Sequence, residues 1–278
     1  MRQGATPAGG LRRSARRQAP LDYNGRMGGK EAAGCGGAEL RIGTSGWHYR
    51  HWVGVLYPAG LPPASWLARY AEVFDTVELN NSFYRLPREE DFSRWRDGTP
   101  GGFVFAVKAS RFITHVKRLS GCEEPLRLFL ERAGRLGDKL GPVLFQLPPR
   151  LEADPQRLRR FLDLLPRGLR SAWEFRHPSW FTEEVYALLR ERGACLCVAD
   201  SPRFPCCREV TASFAFVRLH GGRELYGSEY SRKELAGWAG WIRSRLEEGV
   251  SVFIYFNNDA RGYAVTNALA LKQMMESA

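Results

Sequence analysis

Glu174 and Arg176 stand two positions apart in the stretch Trp173-Glu174-Phe175-Arg176-His177-Pro178-Ser179-Trp180. An extended backbone sets successive side chains on opposite faces, so carboxylate and guanidinium share one face while Trp173 and Phe175 share the other. Pro178 ends such a strand. Taken alone, the pair fits two uses: a structural ion pair, or a proton-transfer group beside a holder of anions. Repetition widens the reading, because eight apolar runs follow one another along the chain and most end in polar or ionisable residues.

The run ends collect Glu78, Asn80, Lys108, Gln146, Glu174, Arg176, Asp200, Arg218, His220 and Asn257. Glu78 and Glu174 are candidate general acid and base if their surroundings push their pKa values apart, and His220 joins them as a catalytic candidate. Lys108, Arg176 and Arg218, with His177 or His115 beside them, have the chemistry to hold a phosphate or carboxylate, arginine offering a bidentate fork. Asn80, Tyr84, Gln146, Asn257 and Asp259 complete the expected substrate-binding set. A buried ion-pair network closing the top of a barrel would use the same residues.

Other chemistries fit less well. Glu78, Glu174, Asp200, His177 and His220 are ligand types suited to Zn, Mn or Mg, but no pair has a strong ligand spacing and the neighbouring cations oppose a bare metal ion. A divalent metal is therefore not favoured. A glycosidase would need two carboxylates across a sugar-sized cleft, whereas the basic neighbours favour an anionic substrate. Trp47, Tyr49, Trp52, Phe83, Tyr84, Trp180 and Tyr226 are available to stack on a base or sugar ring, or to serve as core and loop anchors.

These groups must be positioned by strand ends. The runs 40–47, 74–80, 103–108, 143–149, the stretch around Trp173, and 194–199, 214–220 and 252–256 read as eight strands. Helices are expected over 64–72, around 89–95, and over 124–140, 154–165, 182–190, 231–248 and 263–275, with Thr182 and Ser231 as caps and Glu234 completing a capping box. The segment to Ala212 is broken by prolines and reads as a loop. Strands alternating with helices in this way predict an α/β fold, a TIM-type (β/α)8 barrel with one weak or missing helix between strands 6 and 7 and its active groups at the C-terminal strand ends.

The chain has 278 residues, 44% of them hydrophobic and 12% aromatic, enough to bury a core in one domain over 39–278. No apolar run approaches the roughly 20 residues that span a bilayer, and the N-terminus lacks the apolar segment of a secretory signal, so an intracellular, cytoplasmic protein without a membrane is expected. Net charge is +11. Residues 1–38 carry seven Lys or Arg against two acids in a Gly-, Ala- and Arg-rich segment, read as a disordered basic leader, either simply solvated or an arm for nucleic acid. The cysteines form no disulfide framework; Cys195 and Cys197 read as small core residues, and Cys206 and Cys207 as a loop pair.

Six motifs carry a resemblance: Gly43-Thr44-Ser45-Gly46-Trp47, Val77-Glu78-Leu79-Asn80-Asn81-Ser82-Phe83-Tyr84, Gln146-Leu147-Pro148-Pro149, Glu174-Phe175-Arg176-His177-Pro178-Ser179-Trp180, Val217-Arg218-Leu219-His220-Gly221 and Tyr255-Phe256-Asn257-Asn258-Asp259. In this order they resemble domain of unknown function family 72, the YecE-like proteins, over about residues 39–276. The resemblance implies a TIM-type barrel and assigns no reaction. The residues themselves lead to an expected enzyme, a hydrolase or lyase acting on a phosphate-bearing or other anionic substrate. The alternative is a noncatalytic nucleic-acid binding protein that uses the basic leader.

Overall fold

A computed structural model describes residues 37–277. Eight parallel strands run β1 (Leu40–Thr44), β2 (Thr76–Leu79), β3 (Val104–Lys108), β4 (Leu140–Gln146), β5 (Ser171–Glu174), β6 (Cys195–Asp200), β7 (Phe214–Leu219) and β8 (Ser251–Phe256), hydrogen-bonded in the order β1-β8-β7-β6-β5-β4-β3-β2. Strands β1 and β2 close the ring through a bridge between Ser45 and Glu78. Gly43 allows that approach, since a Cβ there would lie 2.3 Å from the carbonyl oxygen of Thr76. The predicted barrel is the observed one.

Alternation along each strand separates two apolar layers. Val104, Ala106, Leu144, Ala172, Cys195, Cys197, Phe214, Phe216, Phe253 and Tyr255 fill the barrel interior. Val77, Phe105, Val107, Phe145, Trp173, Val198, Val217 and Ile254 point outward into the larger core under the helices. Continuing the inward set by two residues reaches Glu78, Lys108, Gln146, Glu174 and Arg218. The polar groups at the barrel top are thus the last inward positions of their strands. The small interior role expected of Cys195 and Cys197 matches their place in the inner layer.

The connecting helices are α1 (Trp66–Ala71), α2 (Asn81–Tyr84), α3 (Glu89–Asp97), α4 (Glu123–Ala133), α5 (Pro155–Leu162), α6 (Glu183–Glu191), α7 (Arg232–Glu247) and α8 (Tyr263–Glu276). Their ends follow local chemistry: Asp154 accepts a hydrogen bond from the Arg157 amide, Thr182 from Val185, and Ser231 and Glu234 form the expected capping box. Between β6 and β7 no helix occurs among the described residues, as the proline-broken segment foretold.

Three local expectations differ from the structure. The helix expected to reach 140 leaves the α-form at Ala133 and continues as a 3-10 segment to Lys139. Gly141 and Pro142, which follow the end of the expected helix, lie inside β4, where the register against β3 slips between Phe105 and Val107. Proline has no N–H to give the ladder, and a bulge accommodates it. Residues 112–116, for which no element was expected, form a π-helical turn. The basic leader of 1–38 lies outside the described residues over 1–36.

Candidate functional site

Arg218 organises the barrel top. From the end of β7 its Nε donates to Glu78 Oε2 at 2.8 Å and its Nη2 to Glu78 Oε1 at 2.8 Å, a bidentate pair, while Nη1 donates to Glu174 Oε2 at 2.5 Å. Ser45 Oγ adds a hydrogen bond to Glu78 Oε1 at 3.0 Å, and Arg176 Nε donates to Glu174 Oε1 at 2.7 Å. Glu78 and Glu174 are fully buried and Arg218 is 1% exposed. Charges so far from water are tolerable only when paired and hydrogen-bonded, and these are.

This arrangement sets protonation. Burial drives the carboxyl of Glu174 up, but Arg218, Arg176 and His220 outweigh it and hold it well below the usual carboxylate range. Burial likewise opposes the charge of Arg218, and the two carboxylates override it to raise its pKa. Glu174 is therefore a fixed anion near neutrality, and every donor nitrogen of Arg218 already has a carboxylate partner. The residue expected to bind an external anion instead binds internal ones.

Lys108, at the end of β3, is different. Its Nζ lies 4.2 Å from the centroid of the Phe83 ring and has no hydrogen-bond acceptor or carboxylate within reach among the described residues. It is 9% exposed. Burial lowers its pKa, Arg218 lowers it further, and Glu174 and Glu78 restore only part, leaving it at about 7. Burial also lowers His115 to about 4, with help from Lys108, Arg111 and Arg176. His115 packs edge-on against Phe83 and accepts or donates at Thr114 Oγ1, 2.9 Å away, with Gln146 Nε2 at 3.4 Å.

The buried His220 places Nδ1 3.0 Å from Asn257 Nδ2 and Nε2 3.7 Å from Glu174 Oε2. With the amide donating to Nδ1, the proton sits on Nε2 and faces the carboxylate beyond hydrogen-bond reach. Burial and Arg218 lower its pKa. His220 thus orients behind Glu174.

A cleft of about 690 Å³ opens over these groups, lined among others by Tyr49, Asn80, Lys108, Arg218, Tyr226 and Asp259. The loop after β7 forms one wall. Gly221, at φ +98°, turns it, and a Cβ there would meet the Glu224 carbonyl oxygen at 2.4 Å. Tyr226, at φ 63°, is held by its amide on the His220 carbonyl at 2.5 Å and receives Arg176 Nη2 at 3.4 Å on its hydroxyl. Arg176 also stacks on Phe204, 4.3 Å away, and its Nη1 has no acceptor among the described residues.

The remaining predicted residues divide. Asn80, Gln146 and Asn257 stand at the barrel top, with the buried Oδ1 of Asn80 lacking a partner. Tyr84 projects from the rim, 81% exposed. Asp259, in the expected set, accepts from Trp52 Nε1 at 2.9 and 3.0 Å and pairs with His51 Nε2 at 2.9 Å, making a His–Asp dyad on the cleft wall whose histidine strand-end reasoning missed. For His51 the signal in the sequence was the aromatic and basic composition of residues 48–52. His177 turns away: its Nδ1 takes the Ser179 amide at 3.3 Å and pairs with Ser179 Oγ at 2.8 Å, capping the turn at Pro178–Trp180. Among the described residues no group of three His, Cys, Asp or Glu side chains is placed to hold a metal, and no helix is long and apolar enough to cross a membrane.

Comparison with known proteins extends this picture. The model of the family described as "Protein of unknown function DUF72" matches residues 41–278. The chain is similar to the UPF0759 protein YunF of Bacillus subtilis, 27% identical over 270 residues that cover 85% of this chain and 94% of YunF. It is similar to the UPF0759 protein YecE of Escherichia coli K12 at 33% identity over 168 residues, 58% of this chain and 59% of YecE. A crystal structure of a DUF72 protein from Thermotoga maritima superposes with a TM-score of 0.78 at 32% identity, covering 86% of this chain and 99% of that one. An Enterococcus faecalis DUF72 structure does so at 0.75 and 21% identity, over 85% and 95%, and shares the fold.

Proposed function

The chain belongs to the DUF72 family, whose description assigns no reaction, and we propose from the site itself that it is an enzyme, a hydrolase or lyase acting on a small anionic substrate in the cleft at the C-terminal strand ends. One observation carries this reading: three cationic side chains meet two carboxylates at the barrel top, and Lys108, which lines the cleft, is left without a carboxylate. Glu78 and Glu174 are engaged by Arg218 and by Arg176 Nε, whereas Lys108 Nζ and Arg176 Nη1 have no protein acceptor among the described residues. A phosphate or carboxylate supplies the acceptor oxygens that such donors lack.

Within this reading, Arg176 orients the anion, Asn80 and Asn257 offer neutral hydrogen bonds, and Tyr84 and Tyr226 flank the mouth. Proton transfer falls to Lys108, whose pKa near 7 suits a group that must both take and give a proton at neutral pH. Glu78 and Glu174 then act as the hydrogen-bond partners that keep Arg218 and Arg176 in place.

Calorimetric titration with inorganic phosphate, sulfate and small carboxylates tests the anion site. Saturable binding that weakens at least tenfold in Arg176→Met, with an unchanged melting temperature, is the expected result. Equal binding by both proteins, or no saturable binding of any anion, contradicts it.

A further inference from the structure

We propose that Lys108 is an amine nucleophile and that the substrate is a small aldehyde or ketone, held by its anionic group, which forms a Schiff base with Lys108 Nζ. This rests on the anion-binding reading above, adds the substrate's reactive group, and makes Lys108 the covalent nucleophile in place of the proton carrier. The geometry behind it is the isolation of one amine. Lys108 ends a barrel strand pointing along the inner face, its backbone carbonyl is fixed by Ser82 Oγ at 2.6 Å, and its Nζ is seated over Phe83 at the cleft without a carboxylate partner.

The surroundings explain why the amine stays free. Around it lie Arg218, Glu174, Glu78 and Arg176, and His115 feels its charge in turn. Both carboxylates, the only anions among those neighbours, are tied to the arginines, so neither is available to neutralise an ammonium at Lys108. Desolvation then favours the neutral amine. A lysine desolvated beside cationic groups is the arrangement that makes an amine nucleophilic at neutral pH.

The step balances within the site. The Nζ lone pair attacks the carbonyl carbon, the C–N bond forms, and the carbonyl π pair moves to oxygen, which takes a proton as the nitrogen releases one, giving a neutral carbinolamine whose nitrogen has its lone pair back. A second proton lets that oxygen leave as water while the nitrogen lone pair forms C=N, leaving a protonated imine. No oxidant or reductant enters. The imine draws electrons from the adjacent carbon, which serves lyase chemistry by cleavage or proton loss at that position.

The full-length protein would be incubated at pH 7 with glycolaldehyde phosphate, with glycolaldehyde, or with either plus inorganic phosphate. Cyanoborohydride traps any imine, and peptide mass mapping reads the site. The chain has six lysines, so five stand beside Lys108 for comparison. Lys117 and Lys233 are exposed, and Lys139 is buried but saturated by the Arg96 and Thr99 carbonyls at 2.6 Å each.

Lys108 is expected to label at least tenfold faster than Lys117 and Lys233, and Lys139 not at all. Its rate is expected to level off above about pH 7 while those of the exposed lysines keep rising. The phosphorylated probe is expected to react faster than glycolaldehyde at Lys108 alone, with inorganic phosphate protecting. Rapid labelling of Lys108 by both probes without protection supports the nucleophile and removes the anion site. Saturable phosphate binding with Lys108 labelling no faster than Lys117 overturns the nucleophile and leaves the anion site standing. Because the lysines compete within one sample of unaltered protein, the result does not depend on whether Lys108→Met folds.

Discussion

Lys139 and Lys108 are equally buried, each 9% exposed, at opposite ends of the barrel. Lys139 precedes β4 at the N-terminal end and donates to the carbonyls of Arg96 and Thr99 at 2.6 Å and to Thr99 Oγ1 at 3.1 Å, the full complement of an ammonium. Lys108, at the C-terminal end, has an aromatic face and no acceptor among the described residues. The same contrast separates the charged groups around them. Near the N-terminal end, Arg41 is shared by Glu39 and Asp75 and Arg170 pairs with Glu39, while near the C-terminal end the carboxylates are engaged and an amine is left over. A barrel that closes its polar groups at one end and leaves an amine unmatched at the other has the asymmetry on which the proposed function rests, at the end where such barrels place their active sites.

The largest effect should come from opening the closed part of the top. Arg218→Met leaves Glu78 and Glu174 buried without their main partner, which costs about 3–5 kcal/mol; urea unfolding is expected to show it, and an unchanged midpoint would dissolve the distinction between locked and open groups. Glu174 gives the same lock a pH signature. Because its folded-state pKa is depressed, its stabilisation is present above the ordinary carboxylate range and is lost as pH falls through that range and below. The acid unfolding midpoint of Arg218→Met should therefore move to higher pH.

A smaller effect is expected at the seam. Gly43→Ala puts a methyl against the Thr76 carbonyl oxygen and should destabilise by about 1–3 kcal/mol, measured by the same unfolding curves. The open lysine costs stability wherever it must carry its charge. Its pKa is lowered on folding, so the unfolded chain binds more protons between about pH 7 and the ordinary lysine value, and wild-type stability rises with pH across that window. Lys108→Met removes the dependence: the variant should be the more stable protein at pH 6, with the gap narrowing by up to about 1.4 kcal/mol per pH unit above 7. The smallest change belongs to the rim, where Tyr84→Ala should leave stability within about 0.5 kcal/mol while altering affinity for the phosphorylated probe.

Much of the frame was legible because alternation is a strong code. The inward positions of the apolar runs led from Val104 and Ala106 to Lys108, from Ala172 to Glu174 and from Phe216 to Arg218, so the ring of polar residues followed from strand geometry alone. The missing helix between β6 and β7 was equally visible in its prolines. Pairing was not visible. Arg218 meets Glu78 and Glu174 from 140 and 44 residues away, and no spacing says which arginine is locked and which retains a donor. His51 and Asp259 meet across 208 residues, and the Tyr226 wall depends on a turn at Gly221. His177 looked like its neighbours at the strand end, but one residue beyond Arg176 the chain has already turned, and its imidazole serves as a cap.

The most direct test of an open amine above a locked ion network is the titration of Lys108 itself. Protein with 13C at the lysine ε carbon would be followed by NMR from pH 5 to 11, the Lys108 signal being identified by its absence in Lys108→Met. A midpoint of about 7 is predicted. A midpoint near the ordinary value of about 10.4 would show a stably charged ammonium, and the C-terminal end of the barrel would then be as closed as the other.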